Sequence, residues 1–211
     1  MIRLMKRISE KRNEDDTIFI VSGLPRTGTS MMMRILEAGG LGVVTDNERK
    51  PDKDNPRGYY EFERVKKIAK DFSWLRDCRG KAFKMVSALL PHLPRDRKYK
   101  IIFMKRNLDE VLSSQSAMLK RLGREGGNLS DEEMSKRFKN HLQEMEKWIE
   151  RQPHLEVLYA DYNKIMMNPL QSLGAVCRFI DRDLDAGKMA SVVENGLYRQ
   201  RCQGKIFLKN A

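Results

Sequence analysis

Five residues in Gly23-Leu-Pro-Arg-Thr-Gly-Thr-Ser30 have types and spacing suited to holding an anion: Gly23, Arg26, Gly28, Thr29 and Ser30. Glycines let a backbone turn tightly and aim its N–H groups at one point, hydroxyls add donors, and Arg brings a planar cationic fork. The spacing G-x-x-x-x-G-x-[ST] is that of a phosphate-binding loop. An NTPase of this kind carries Lys where this chain has Thr29, and the cation here sits earlier, at Arg26. Without that Lys, the β- and γ-phosphates of a triphosphate lose the point charge that holds them. The anion expected here need not be ATP.

A second cationic group, Lys105-Arg106-Asn107, follows the apolar run Tyr99–Met104, and Ser114 lies two helical turns beyond it. This is a second strand–turn–helix with a cation at the strand's carboxyl end, the edge at which ligands bind in open α/β sheets.

Chemistry at these positions needs elements to hold it. Ile18–Val21 reads as a buried strand, and Met31, Met32, Ile35 and Leu36 give the period of a helix over about Thr29–Ala38, stopped by Gly39-Gly40. Strands are expected at about Thr17–Val21, Ala82–Val86, Tyr99–Met104 and Leu155–Ala160. Helices are expected over Glu61–Leu75, Leu108–Arg121, from the capping box Ser130-Asp-Glu-Glu133 to about Gln152, from Asn168-Pro169 to Ile180, and from near Asp185. Thr45–Tyr59, broken by Pro51, Asn55-Pro56 and Gly58, reads as a loop able to cover a pocket. Strands alternating with helices predict an α/β fold of three layers, α/β/α, around a central parallel sheet, P-loop NTPase-like. Right-handed crossovers would bring Arg26, Arg106 and the Asp161-Tyr162 turn to one sheet edge.

The chain has 211 residues, 40% hydrophobic and 33% charged, which is the profile of a packed globular protein. We expect one domain over 17–211 preceded by a basic arm, 1–16. The net charge of +12 is spread along the chain among acids with no nucleic-acid motif, so nucleic acid is not the expected substrate; a polyanionic small ligand, an acidic partner or simple solubility each fit the charge. Cys78, Cys177 and Cys202 are widely spaced and form no disulfide or zinc pattern. The charged start lacks a signal-peptide core and no apolar run reaches the roughly 18 residues that span a bilayer, so the expected setting is cytoplasmic.

Pro25-Arg-Thr-Gly-Thr-Ser30 after a strand resembles the 5′-phosphosulfate loop of sulfotransferases, P-[KR]-[ST]-G-[ST]-[ST]. Arg106-Asn-Leu-Asp-Glu-Val-Leu-Ser-Ser114 resembles their 3′-phosphate segment, R-[ND]-P-x-D-x-x-x-S, about eighty residues on. Val157-Leu-Tyr-Ala-Asp-Tyr162, with Asn168-Pro169 and Phe179 behind it, is similar to the segment whose Tyr lies against adenine. Ala82-Phe-Lys-Met-Val86 is similar to the strand preceding the acceptor site. The resemblance covers about residues 17–181.

It implies transfer of a sulfuryl group from the co-substrate 3′-phosphoadenosine-5′-phosphosulfate (PAPS) to a hydroxyl or amine of a small-molecule or carbohydrate acceptor, with no metal expected. Arg26 would meet the charge on the leaving oxygen, the Thr27, Gly28, Thr29 and Ser30 segment would cradle the 5′-phosphate, Arg106 and Ser114 would hold the 3′-phosphate, and Tyr162 would lie against the base. The chain departs from the family at several points. Leu108 stands for Pro, Glu110 for Asp, and Asn163-Lys164 for the usual Glu-Asp; the terminal R-K-G-x-x-G element is not recognisable, Arg199, Arg201 and Lys205 being loose candidates. Val86 falls where a Lys-Thr-His base would sit, so the base must come from elsewhere. Glu61, flanked by aromatics that would desolvate it, is one candidate and Asp46 the other. The alternative to a sulfotransferase is a P-loop kinase or NTPase-like nucleotide-binding protein, which Thr29 disfavours.

Overall fold

The run Ile18-Phe-Ile-Val is apolar without interruption because the strand it forms, β1 (Ile18–Gly23), is covered on both faces. In the computed structural model, which describes residues 16–46, 48–53, 55–123 and 130–198, β1 pairs in parallel with β2 (Ala82–Lys84) on one side and β3 (Tyr99–Lys105) on the other. Strand β4 (Leu155–Asp161) adds parallel to β3, giving the order β2-β1-β3-β4. Alternation along the strands sorts the core. Phe19, Val21, Ile102 and Met104 face one side, Ile18, Ile20, Ile101 and Phe103 the other.

The first face is closed by α1 (Thr29–Ala38) through Met32, Met33, Ile35 and Leu36, and by α4 (Tyr162–Met167) and α5 (Pro169–Ile180) through Ile165, Leu173 and Val176. Met189 of the short α6 (Ala186–Ser191) packs on the same cluster. The second face is closed by Trp74, Leu75 and Leu90 from single 3₁₀ turns and by Met145 and Ile149 of α3 (Asp131–Ile149). Helix α2 (Leu108–Arg121) follows β3. The result is the α/β, P-loop-like three-layer fold. Residues 1–15 of the expected basic arm, and Arg199, Arg201 and Lys205, lie outside the described residues. Among the described residues no helix is long and apolar enough to cross a membrane.

The expected helix over Glu61–Leu75 is a correction. The chain forms two 3₁₀ turns there, Glu63–Lys67 and Ser73–Cys78. Asp71 ends the helical run: its carboxylate accepts the Ser73 N–H at 2.9 Å, and its carbonyl accepts the Trp74 indole N–H at 2.9 Å. That side-chain turn competes with the helical hydrogen bond. It leaves Phe72 half exposed and puts Trp74 in the core, against Phe62 and Phe83. Asp161 leads directly into the helical turn α4, where no helix was expected before Asn168-Pro169. The strands run one or two residues beyond or short of their expected ends.

The register places Gly23 beside Met104 and Lys105 beside Asp161. The turns after β1, β3 and β4 therefore open on one edge of the sheet.

Helix α3 starts at the capping box read from sequence. Ser130 Oγ accepts the Glu133 N–H at 3.2 Å, and Glu133 accepts the Ser130 N–H at 2.8 Å. Ser130→Ala should cost about 1 kcal/mol, a midpoint drop of about 2–4 °C for a chain of this size. Scanning calorimetry checks this; an unchanged midpoint would mean that the cap contributes nothing to α3.

Candidate functional site

The loop between β1 and α1 is built around backbone conformations that few residues tolerate. Gly23 and Gly28 have φ of 144° and 89°. A Cβ on Gly23 would lie 2.7 Å from the Met104 carbonyl; one on Gly28 would lie 2.9 Å from Tyr162 Cε2 and nearer still to its Cδ2. Only glycine lets this loop pass so close to β3 and to Tyr162. Arg26 also has a left-handed φ, 71°, which costs a non-glycine residue on the order of 1 kcal/mol or more. It is held by its neighbours: the Thr27 hydroxyl donates to the Leu24 carbonyl at 2.7 Å, and the Arg26 carbonyl accepts from Arg106 Nη1 at 3.0 Å. Gly28 caps α1 with no side-chain acceptor, and no acid lies in the first turn. The first-turn N–H groups and the positive end of the helix dipole are thus not opposed by a side chain of the helix itself.

Arg26 reaches across to α2, where its Nε donates to Ser114 Oγ at 2.9 Å. Ser114 is buried and held on the second turn of a helix capped by Asn107, whose side chain accepts the Asp109 N–H at 2.8 Å. Arg106 leaves the end of β3, with Nε 2.9 Å from Glu110 and its guanidinium 4.3 Å from the centre of the Tyr162 ring. Burial pushes the Arg26 pKa below its ordinary value; nearby Tyr59 opposes that, while Arg106 and Arg121 push the same way. Guanidinium groups crowded in this manner attract anions.

The opposite wall is organised by Lys84 at the end of β2. Its Nζ donates to the Tyr59 carbonyl, lies 3.2 Å from Ser30 Oγ, and stands 3.8 Å from Glu61. Ser30 donates to the same carbonyl at 2.9 Å. The loop that carries Tyr59 folds back over the site through Arg49, which stacks 3.3 Å from the Tyr59 ring centre and pairs with Glu61 at 3.0 Å. The Tyr59 hydroxyl donates to Asp52 at 2.7 Å; burial first, then that bond, pushes its pKa up to about 12. Arg57 continues the cover with a two-point bond to Glu194, at 2.9 and 3.0 Å, and Arg34 of α1 meets the same carboxylate at 2.9 Å.

These walls enclose a cavity of about 360 Å³. Arg26, Gly28, Thr29, Ser30, Glu61, Arg106, Ser114 and Tyr162 line it, so most of the residues singled out in the sequence share one space. Thr27 and Asp46 do not. Thr27 is buried with its hydroxyl turned to Leu24. The Asp46 carboxylate accepts the Glu63 N–H at 2.6 Å and the Glu48 N–H at 3.1 Å, which makes it a brace for the loop. Six arginines and two lysines line the cavity against two glutamates, Glu61 and Glu194, each already paired with cations. Phe62, Val65, Met85, Val86, Leu89 and Met118 form an apolar wall beside Lys84.

The sequence reading did not select Lys84, although a lone cation in Ala82-Phe-Lys-Met-Val86 was a visible signal. It also passed over Asn163 and Tyr198, which meet Glu110 below Arg106 and which no local pattern connects.

A family model described as a sulfotransferase domain matches residues 15–200. Among solved structures, the chain is similar to the sulfotransferase domain of the curacin biosynthetic pathway, with TM-score 0.53, 15% identity, and 84% of this chain and 78% of that one covered. It is also similar to the sulfotransferase STF9 of Mycobacterium avium, with TM-score 0.50, 14% identity, and 92% and 71% covered. At these identities the structures attest the fold. No curated protein sequence matches the chain.

Burial pulls the Lys84 ammonium down to about 8; Glu61 opposes this, while Arg49, Arg26 and Lys66 add to it. In the unfolded chain a lysine titrates near 10.4. Between these values the unfolded state binds more protons, so the Lys84 charge opposes folding at pH 7, and that penalty fades as pH rises from about 8 past 10. Lys84→Met should therefore gain about 1–3 kcal/mol of folding stability at pH 7 relative to the parent. The gain should shrink by pH 10, as read from urea unfolding at both values. A difference that does not change with pH would show that charge burial at Lys84 is not its cause.

Proposed function

The chain belongs to the sulfotransferase family, and we propose that it transfers a sulfuryl group from PAPS to a hydroxyl or amine of a small-molecule or carbohydrate acceptor. The observation that carries this reading is the linkage of two cations from distant parts of the chain. Arg106 donates to the Arg26 backbone at 3.0 Å while Arg26 donates to Ser114 at 2.9 Å. That arrangement supports two anion-holding groups in one cavity, the loop with the α1 N-terminus and the Arg106–Ser114 pair. PAPS carries two phosphate positions of this kind.

In this reading the N–H groups of residues 28–30 and the Thr29 hydroxyl hold the 5′-phosphate, with Thr27 buried behind them, and Arg106 and Ser114 hold the 3′-phosphate. Tyr162, packed on Gly28 and Arg106, borders the nucleotide. The acceptor oxygen or nitrogen attacks sulfur, and the bond from sulfur to the bridging phosphate oxygen breaks with its electron pair leaving on the bisphosphate. Arg26 and Lys84 stabilise the charge that grows on that oxygen. Because this charge develops in the transition state, preorganised cations lower the barrier rather than merely tighten binding. The apolar wall from Phe62 to Met118 receives the body of the acceptor. The proton of the acceptor passes to Glu61, which lies 3.8 Å from Lys84 on the cavity wall; Asp46, engaged by two backbone N–H groups away from the cavity, is the less suited carboxylate.

The donor is tested by calorimetry with 3′,5′-bisphosphoadenosine, ADP, and ATP with magnesium. A charge-assisted contact to the 3′-phosphate contributes about 1.5–3 kcal/mol, so ADP should bind at least roughly tenfold more weakly than the bisphosphate. Equal affinities would remove the case for PAPS, and preference for magnesium ATP would favour a kinase-like protein instead.

The base is tested with Glu61→Gln and Asp46→Asn under steady-state turnover. Glu61→Gln should lower kcat by a factor on the order of 10²–10⁴ with bisphosphate affinity kept. A normal kcat for Glu61→Gln would remove Glu61 from the proton path.

A further inference from the structure

Arg106 does not stand alone at the end of β3. Its Nε meets Glu110 Oε2 at 2.9 Å, and that carboxylate is 2% exposed. Behind Glu110 stand two groups from elsewhere in the chain. Asn163, at the start of α4, donates from Nδ2 to both Glu110 oxygens at 3.1 Å. Tyr198, from the C-terminal segment, donates its hydroxyl to Glu110 Oε1 at 2.6 Å and accepts from Asn163 Nδ2 at 2.6 Å. Asn163 also accepts the Asn107 N–H at 3.3 Å, which ties the group to the cap of α2. The rings of Tyr162 and Tyr198 meet edge to face at 5.5 Å and flank the Arg106 guanidinium at 4.3 and 5.7 Å.

We propose that Tyr198 and Asn163 are positioning residues that set, through Glu110, the orientation of the Arg106 fork, and so determine the preference of the site for a 3′-phosphorylated nucleotide. This deepens the PAPS reading and rests on it. An arginine side chain has many rotamers, and recognition of phosphate at two points needs one of them held in advance. A carboxylate paired with Arg106 on one side accomplishes this only if its own torsions are fixed. Three hydrogen bonds from Asn163 and Tyr198, made to a carboxylate that is itself sealed from water, fix them. The network also makes Tyr198 part of the nucleotide site although it does not line the cavity, which Glu194 and Leu197 of the same segment do.

The test is Tyr198→Phe, which keeps the ring and its edge contact with Tyr162 and removes one hydroxyl. Calorimetry with 3′,5′-bisphosphoadenosine and with ADP should show the bisphosphate weakened about three- to tenfold. ADP should change by less than about twofold, and the thermal midpoint should stay near that of the parent. Repeating the substitution in an Arg106→Lys background, where no fork remains to orient, should give no further loss. A variant that keeps the full ratio of bisphosphate to ADP affinity would overturn the inference alone. So would an equal loss in both backgrounds, because Tyr198 would then act on something other than Arg106. Failure of the unsubstituted chain to discriminate the two nucleotides would instead overturn the PAPS reading, and this inference with it. Asn163→Ala supplies a second removal from the same carboxylate and should lower the same ratio; loss of the thermal midpoint with the ratio intact would make Asn163 structural only.

Discussion

A guanidinium buried against a carboxylate at the end of β3 is the interaction on which the rest of the site depends. Arg106 and Glu110 are both nearly sealed from water, with 7% and 2% of their side chains exposed. Taking either charge out of water is costly, and removing one partner would strand the other. The pair is held together by supplying the remaining hydrogen-bond positions of the carboxylate from Asn163 and Tyr198 and by laying the guanidinium on Tyr162. Once placed, Arg106 reaches back to the Arg26 carbonyl and helps hold that residue in its left-handed conformation. The strained turn between β1 and α1 is therefore stabilised from outside itself, by an element eighty positions later in the chain.

The second organising constraint is electrostatic. Arg26, Arg106 and Arg121 lie close enough that the latter two depress the pKa of the first. The fold tolerates this crowding by distributing counter-charges around the rim. Glu61 faces Arg49 and Lys84, and Glu194 faces Arg34 and Arg57. These same pairs fasten the loop carrying Tyr59 and the C-terminal segment over the cavity. One set of contacts thus moderates repulsion in the free protein and builds the walls of the pocket. A polyanionic ligand would relieve what remains, and the cations would already be aimed at it, without reorganisation during the reaction.

Much of this was legible in the chain itself. An unbroken Ile18-Phe-Ile-Val run followed by Gly23 and Gly28 specifies a strand covered on both faces and a tight turn, because period and glycine conformation are local properties. Parallel strands joined by right-handed crossovers then bring Arg26, Arg106 and Tyr162 to one edge, a consequence of chirality that needs no knowledge of side-chain packing. The capping box at Ser130 was readable for the same reason: its partners are three residues apart. Where a local competitor intervened, the pattern misled. Apolar spacing over Glu61–Leu75 promised a helix, but the Asp71 side chain and the fit of Trp74 between Phe62 and Phe83 divided it into two short turns.

Tertiary structure alone decided which polar groups are partners. Asp46 and Glu61 were both candidate bases along the chain, yet one braces the backbone of a loop and the other faces Lys84 across the cavity. Lys84 became a distinctive group only when burial lowered its pKa, a quantity set by surroundings drawn from β2, α1 and the loop before Glu61. Asn163 and Tyr198 carry no motif, and their convergence on Glu110 comes from the docking of β4, α4 and the C-terminal segment against the end of β3. Backbone conformation and strand order follow from short-range sterics and periodicity, which a sequence displays directly. Hydrogen-bond partnership and desolvation depend on distances between residues far apart in the chain, and those exist only once the layers have packed.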